Sequence, residues 1–460
     1  MSANLRGQMV VVVGYGVSGR AAAEVLLAEG ALVRATEARP LEALATPDGA
    51  SGPADARFEL LAGGHRPEHL DGASLVVVSP GVPQASPVMA WARERALPVW
   101  SELELGARLC RVPYVGVTGT NGKTTTTEMV AAMMRAAGVV ARACGNVGYP
   151  FSLAAREEGL DALAVEASSF QLAFQESFHP EVSVLLNVAP DHLDWHGTLE
   201  AYAAAKAMIY AHQGAGDIHI GNRDDPTAAG ISEQAPCETR WFRWGSPGEG
   251  DVGVVDGRVV AGDGTLLGKP LGSGRAFLSN TAAAAAAASA FGVPQQAMRD
   301  TIGSFAPLPH RGAVVAKAGS VRFVDDSKAT NPHAALAALE SLTDAVLIAG
   351  GQAKGVDLSP LASAAPKLAA VVAIGESAPA LVRIFEGLSV PVTVAATMEE
   401  AVESAYRSAP RRGTVILAPA CASQDMFRDY RERGDRFAAA ARAVAARARR
   451  SGPIRRRSHA

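Results

Sequence analysis

Short, strongly apolar runs alternate with helical patterns along most of this 460-residue chain. Met9–Val13, Ala31–Ala35 and Ser74–Val78 read as strands. The first leads into Gly14-Tyr15-Gly16-Val17-Ser18-Gly19 and a helix to about Gly30. That order predicts a doubly wound parallel sheet whose ligand crevice lies at the strand C-termini. A new unit starts near Ser101, with a strand at Tyr114–Val117, a glycine loop at Gly119–Thr124 and a helix over Thr124–Ala137. Further strands are expected at Leu163–Glu166, Val182–Asn187 and Ile218–Ile220. Cys237–Leu271 has hairpin character, turning at Asp256-Gly257. An alanine-rich helix is expected over Asn280–Phe291, and Pro307-Leu308-Pro309 resists helix and marks a boundary. Beyond it the α/β pattern resumes, with strands at Val321–Val324, Ala345–Ile348, Ala370–Ile374, Val392–Val394 and Val415–Leu417.

Composition narrows this picture. Hydrophobic residues make up 48% and charged residues 19%, which excludes a largely disordered chain, and the length suits about three domains. Cys110, Cys144, Cys237 and Cys421 form no CxxC pair, so neither a disulfide framework nor a zinc ribbon is expected, and a reducing cytoplasm fits best. No apolar stretch approaches the ~20 residues of a membrane span, and Met1–Gln8 has no apolar leader core.

Net charge is −3, yet Arg442–Ala460 holds seven Arg and no acid. The favoured reading of Ser451–Ala460 is a disordered tail, ahead of a nucleic-acid or membrane tether. Of the 43 basic residues only seven are Lys: Lys123, Lys206, Lys269, Lys317, Lys328, Lys354 and Lys367. In so Arg-rich a chain, lysines mark candidate positions where a compact or reactive amine is required.

Three clusters carry chemistry. Gly14-x-Gly16-x-x-Gly19 follows a strand, opens a helix and has Glu37 about 20 residues on. The pattern brings backbone N–H groups to a pyrophosphate and a carboxylate to a ribose, and NAD, FAD and a UDP-sugar all satisfy it. Gly119-Thr120-Asn121-Gly122-Lys123-Thr124 is a shortened phosphate loop, with Val117 where the first glycine usually stands. Its amides surround phosphates, Lys123 reaches the terminal pair and the Thr124 hydroxyl suits Mg²⁺. Glu166 ends a neighbouring strand and is a metal-ligand candidate beside such a loop. Asp191-His192 and the following Asp194-Trp195-His196 suggest either metal binding or simple packing.

Taken together, GTNGKT, EASSFQ, NVAPDHLDWHG with Lys206 downstream, the Asn280-Thr281 pair and Pro309-His310-Arg311 resemble the Mur ligases, ATP-dependent amide-forming enzymes of peptidoglycan assembly. The segments DDSKATN at 325–331, GGQAKG at 350–355 and PACASQDMF at 419–427 are similar to the branch that adds D-glutamate to UDP-N-acetylmuramoyl-L-alanine. Pro190, Ala167 and Gln352-Ala353 depart from the pattern. The resemblance spans about residues 5–440 and implies three α/β domains. These are a Rossmann-like doubly wound UDP-substrate domain (1–100), a central P-loop ATPase-type domain (101–308) and a Rossmann-like amino-acid domain (309–445), with an Arg-rich tail at 446–460.

The resemblance also implies roles. Gly14, Tyr15, Ser18, Glu37, Arg39 and Asn146 would meet uridine and its phosphates. Gly119, Thr120, Asn121, Gly122, Lys123, Thr124, Asn280, Arg311 and Asp326 would hold ATP. Thr124, Glu166, His192 and a carbamylated Lys206 would serve Mg²⁺, as two ions. Catalysis would rest on Lys123, Glu166, His192 and Lys206. Lys328, Thr330, Lys354, Ser423 and Tyr430 would line the D-glutamate pocket, where two lysines suit a dicarboxylate. A cytoplasmic monomer with small-molecule substrates is expected, and neither a membrane nor nucleic acid as partner. A folylpolyglutamate synthase-like ligase would not need the Gly14–Gly19 domain. A nicotinamide dehydrogenase would leave Gly119–Thr124 without a job, and a nucleotide switch has no use for Lys328 and Lys354.

Overall fold

Strands that are apolar at every position must be covered on both faces. Val10 and Val12 pack into one core and Val11 and Val13 into another, on opposite sides of the same strand. Val346 and Ile348 separate from Ala345, Leu347 and Ala349 in the same way. The computed structural model describes residues 4–44, 55–146, 148–272 and 274–450. They fall into two units. The first comprises the residues up to Val188, Glu200–Pro270 and Ser279–Phe305; the second comprises Ala189–Leu199, Leu271–Leu278 and Ala306 onwards.

The first unit contains two sheets. One is formed by β1 (Met9–Val13), β2 (Leu32–Glu37), β3 (Phe58–Ala62), β4 (Leu75–Val78) and β5 (Val99–Ser101). It is parallel throughout, in the order β3-β2-β1-β4-β5. The other holds β6 (Tyr114–Thr118), β7 (Ala141–Gly145), β8 (Ala162–Glu166), β9 (Val182–Leu185), β10 (Ile218–Asn222), β11 (Glu238–Trp244), β12 (Val252–Val255), β13 (Arg258–Ala261) and β14 (Leu266–Gly268). Its order is β14-β13-β12-β11-β10-β9-β6-β8-β7. The second unit has β15 (Ala313–Ala318), β16 (Val321–Asp325), β17 (Ala345–Gly350), β18 (Leu368–Ile374), β19 (Val392–Val394) and β20 (Thr414–Leu417), ordered β15-β16-β20-β17-β18-β19. Only β15 runs antiparallel to its neighbour there.

The α/β class holds, with several local differences. The hairpin at Asp256-Gly257 forms between β12 and β13, both turn residues having positive φ. β11, expected within the hairpins, instead pairs parallel with β10 and β12. The alanine-rich helix runs Arg275–Ala290, so Asn280 lies inside it rather than at its start. Residues 446–450, expected in the tail, continue the helix Tyr430–Arg450, because Val444, Ala445 and Ala448 still pack on the core. The rest of the tail, 451–460, lies outside the described residues. Among the described residues no helix is long and apolar enough to cross a membrane.

Candidate active site

The phosphate loop links β6 to the helix Lys123–Ala136. Gly122 caps that helix with φ +90°, and a Cβ there would sit 2.2 Å from Asn280 Oδ1, so the Asn280 side chain lies directly on the loop. Asn187, just past β9, fixes the loop from the other side. Its Oδ1 accepts from the Asn121 N–H at 2.8 Å and its Nδ2 donates to Asn121 O at 3.0 Å. Lys123 folds back, its Nζ donating to Gly119 O at 2.9 Å and to Thr120 O at 3.0 Å.

Lys206 converges on the same loop. The helix Leu199–Ala207 and the following turn bury Tyr202, Lys206, Ile209 and Tyr210 as their spacing predicts, whereas Leu199 is half-buried. Lys206 is 1% exposed, and its Nζ donates to Gly119 O at 2.8 Å and lies 4.3 Å from the Tyr202 ring centre. The Tyr202 hydroxyl in turn donates to Thr120 Oγ1 at 3.2 Å. Two ammonium groups therefore share one carbonyl oxygen, within about 6 Å of each other.

Glu166 ends β8, level with Val117 of the adjacent β6. It is 2% exposed; Oε1 accepts from Asn146 Nδ2 at 3.0 Å, while the buried Oε2 has no protein partner. An orphaned, buried carboxylate oxygen next to a phosphate loop fits a hard cation. Mg²⁺ at nucleotide sites takes one or two carboxylates and relies on phosphate and water for the rest. Among the described residues no group of three or more His, Cys, Asp or Glu is arranged to hold a metal ion. Thr124 lies in the first turn of the helix, half-buried. Asn146 follows β7, tied to Glu166 by side chain and by a 2.8 Å backbone bond, and makes no such bond to the Gly14–Glu37 group. His192 belongs to the second unit, at φ +53°, its N–H donating to Asp191 Oδ1 at 2.9 Å.

The first glycine loop, between β1 and the helix Val17–Ala28, is built differently. A Cβ on Gly19 would lie 1.9 Å from Gly14 O, and one on Gly14 (φ +83°) 3.0 Å from Ser79 Cβ, whereas one on Gly16 would meet nothing within 4 Å. Gly16 is thus the open position. Ser18 is half-buried in the first turn of the helix. Glu37 takes four hydrogen bonds: from Tyr15 N–H at 2.7 Å and Arg39 Nη2 at 3.1 Å on Oε2, and from Arg39 N–H at 3.0 Å and Nε at 3.1 Å on Oε1. That fills the roughly four lone-pair sites of a carboxylate. Although burial opposes ionisation, the bonds from Arg39 and Tyr15 hold Glu37 down at about 2. The Tyr15 ring is buried, 5.6 Å from the Phe58 ring, so the loop offers its backbone there.

In the second unit the loops after β16, β20 and β17, three adjacent strands, converge. Gln352 and Ala422 exchange backbone hydrogen bonds at 3.0 and 2.9 Å, joining the Lys354 loop to the Ser423 loop. The Ala420 N–H donates to Ala329 O at 2.9 Å, joining the latter to Lys328 and Thr330. Lys328 Nζ lies 4.3 Å from the Tyr430 ring centre. Lys354 is at φ +52° and Ser423 is buried. Burial pushes Asp326 up to about 7, against the pull of the Arg311 charge. The neighbouring Asp325 accepts from His310 Nδ1 at 2.7 Å.

Residues 8–101 match the Mur ligase MurD-like N-terminal domain, 117–249 the Mur ligase middle domain and 310–421 the Mur ligase glutamate ligase domain. A UDP-N-acetylmuramoylalanine–D-glutamate ligase from Frankia casuarinae is 44% identical over 95% of this chain and 94% of its own length. The chain belongs to the Mur ligase family. A ligase of the same name from Salinibacter ruber is 41% identical over 94% of this Mur ligase and 97% of its own length. Its fold is shared with a UDP-N-acetylmuramate-alanine ligase from Thermotoga maritima, at TM-score 0.60 and 17% identity over 96% of this chain and 99% of that one. The match at 8–101 covers the region that a folylpolyglutamate synthase-like ligase would not need.

Sequence reasoning missed two organising residues of this Mur ligase. Asn187 was legible only as a strand end. Arg433, fully buried, donates from Nε to Ser327 Oγ at 3.0 Å, from Nη2 to Ser327 O at 2.8 Å, and from Nη1 to Cys421 O and Ala422 O at 3.0 and 3.2 Å. It thereby stitches together the loops that carry Lys328 and Ser423. An arginine in an otherwise amphipathic helix gave no signal of that.

Proposed function

We propose that this Mur ligase uses ATP to join D-glutamate to UDP-N-acetylmuramoyl-L-alanine in cytoplasmic peptidoglycan precursor synthesis, working as a monomer. The observation that carries the reading is the gathering of Lys123, Lys206 and Asn280 on the Gly119–Thr124 loop, one strand from a buried Glu166 with a free oxygen. In this reading residues 1–100 take the UDP part, 101–308 ATP and 309–445 the amino acid.

The alanyl carboxylate attacks the γ-phosphorus, ADP leaves, and an acyl phosphate forms. The D-glutamate amine then adds to the acyl carbon, and the tetrahedral adduct expels inorganic phosphate and loses a proton. A carboxylate is a poor electrophile until one of its oxygens becomes a good leaving group. Lys123 leaves its loop carbonyls to meet the terminal phosphates, and the loop amides share their charge. Thr124 and Glu166 would hold Mg²⁺, with His192 and a carbamylated Lys206 serving a second ion. The bound metal offsets the repulsion between two reacting anions. Carbamylation would replace two ammonium groups on one carbonyl with a cation facing an anion. Arg311 and Asp326 serve ATP at the γ-phosphate and ribose, and Asn280 at the base. Lys328, Thr330, Lys354, Ser423 and Tyr430 take D-glutamate. Gly14, Tyr15, Ser18, Arg39 and Asn146 serve the uridine diphosphate, with Glu37 setting Arg39.

The test is ADP release. It should require both UDP-N-acetylmuramoyl-L-alanine and D-glutamate; equal release with either one omitted would refute the coupling.

A further inference from the structure

The C-terminal end of β2 carries a side-chain network that the proposed reaction leaves without a role. Thr36, fully buried, precedes Glu37, and its Oγ1 lies 3.0 Å from His65 Nδ1 and 2.7 Å from His69 Nδ1. A threonine hydroxyl has one hydrogen and two lone pairs. It can donate to one imidazole only, so at least one ring must carry its proton on Nδ1. Burial holds both rings below the usual histidine value, for His65 against the pull of Glu37 and for His69 against that of Glu68 and Glu59.

With both rings neutral, the hydroxyl couples them. One ring accepts the Thr36 proton at Nδ1 and keeps its own on Nε2. The other donates Nδ1–H to Thr36 and leaves a lone pair on Nε2. Rotating the hydroxyl, with transfer of the ring protons, exchanges the two roles without moving a heavy atom.

Neither Nε2 has a hydrogen-bond partner among the described residues, and neither is sealed from solvent. The segment is held against the C-terminal end of β2. The Gly64 N–H donates to Glu37 O at 3.1 Å and the Gly63 N–H to Arg39 O at 2.9 Å, which places His65 directly after the backbone flanking both residues. Arg34 Nη1 pins the following turn through His69 O at 3.2 Å and Asp71 O at 2.9 Å. Both rings are thus fixed through Nδ1, and each keeps an Nε2 that makes no hydrogen bond to the described residues.

We infer that His65 is a specificity-determining residue that hydrogen-bonds the pyrimidine edge of the nucleotide substrate through Nε2, with Thr36 and His69 as the positioning residues that set its ring and tautomer. The inference rests on the reading that the Gly14–Gly19 crevice takes the UDP moiety. A uracil edge offers an N–H donor between two carbonyl acceptors. A neutral imidazole whose tautomer can be reset meets either kind of atom, which an ammonium or guanidinium cannot do.

Calorimetric titration with UDP and with inorganic pyrophosphate tests this on the full-length enzyme. His65→Phe should weaken UDP about five- to tenfold, the value of one hydrogen bond, and leave pyrophosphate unchanged. Thr36→Val should weaken UDP several-fold and Thr36→Ser should restore it; a purely structural Thr36 would move both probes together. In steady state, His65→Phe should raise the KM for UDP-N-acetylmuramoyl-L-alanine and leave those for ATP and D-glutamate alone. UDP affinity within twofold of wild type in His65→Phe would overturn the inference while leaving the crevice assignment standing. Absence of UDP binding to the wild-type enzyme would overturn the crevice assignment and the inference with it.

Discussion

Two glycine loops in this chain, each between a parallel strand and a helix, solve different problems. At Gly14–Gly19 the absence of a side chain on Gly19 lets it pack on the Gly14 carbonyl, and Glu37 is saturated by Tyr15 and Arg39. At Gly119–Thr124 the backbone is shaped for side chains. Gly122 makes room for Asn280, and Lys123 and Lys206 both rest on the Gly119 carbonyl, which Lys123 would leave for phosphate in the proposed reaction. In the proposed reaction the first loop holds a diphosphate that does not react, and the second follows charge as it develops, with its cations on side chains.

The largest effect is expected at Lys206. Arg cannot form a carbamate, so Lys206→Arg should lose activity nearly as completely as Lys206→Ala, by roughly two to three orders of magnitude. Short carboxylic acids should partly restore turnover of the Ala variant. Wild-type activity in Lys206→Arg would reduce Lys206 to a packed side chain and weaken the contrast between the loops.

Next come the glycines. Gly122→Ala places a methyl 2.2 Å from Asn280 Oδ1 at a left-handed φ, and should raise the KM for ATP tenfold or more. Gly16→Ala meets nothing within 4 Å, so its Tm should match wild type while UDP affinity falls. A Gly16→Ala enzyme with unaltered UDP binding would show that the ligand does not approach the first loop at that point.

Lys328→Ala should raise the KM for D-glutamate with the KM for ATP nearly unchanged, since a buried charge-assisted contact is worth about 2–5 kcal/mol. An unaltered D-glutamate KM in both Lys328→Ala and Lys354→Ala would sink the pocket assignment.

The smallest effect is on stability. Asp326, raised to about 7 by burial, favours folding in its protonated form. Its contribution is complete below the unfolded carboxyl value and is lost as pH rises through about 7. Asp326→Asn should therefore raise Tm at pH 8 more than at pH 5, and equal shifts at both pH values would contradict the assignment.

Much of this was legible in sequence because the relevant signals are local. Strands buried on both faces read as continuous apolar runs, and the loop motifs sit next to the strands that aim them. β3, β5, β7 and β15 were missed, all of them short edge strands of mixed exposure. Lys206 stood out as one of only seven lysines in an Arg-rich chain. Asn187, Arg433 and the Thr36 pair of histidines did not, since each acts through partners distant in sequence, 66 residues away for Asn187 and 106 for Arg433. Motif spacing carries no record of such contacts. The saturation of Glu37 was hidden for a related reason, because the fingerprint gives an acid's position and not how many donors reach it.

Isotope transfer reads out whether a phosphoryl group passes at the second loop onto the alanyl carboxylate. UDP-N-acetylmuramoyl-L-alanine labelled with ¹⁸O in its alanyl carboxylate should pass one labelled oxygen to inorganic phosphate in each turnover, because the attacking oxygen leaves with phosphorus. Phosphate released without label, at a normal rate of product formation, would contradict an acyl-phosphate path and the division of labour between the two loops built on it.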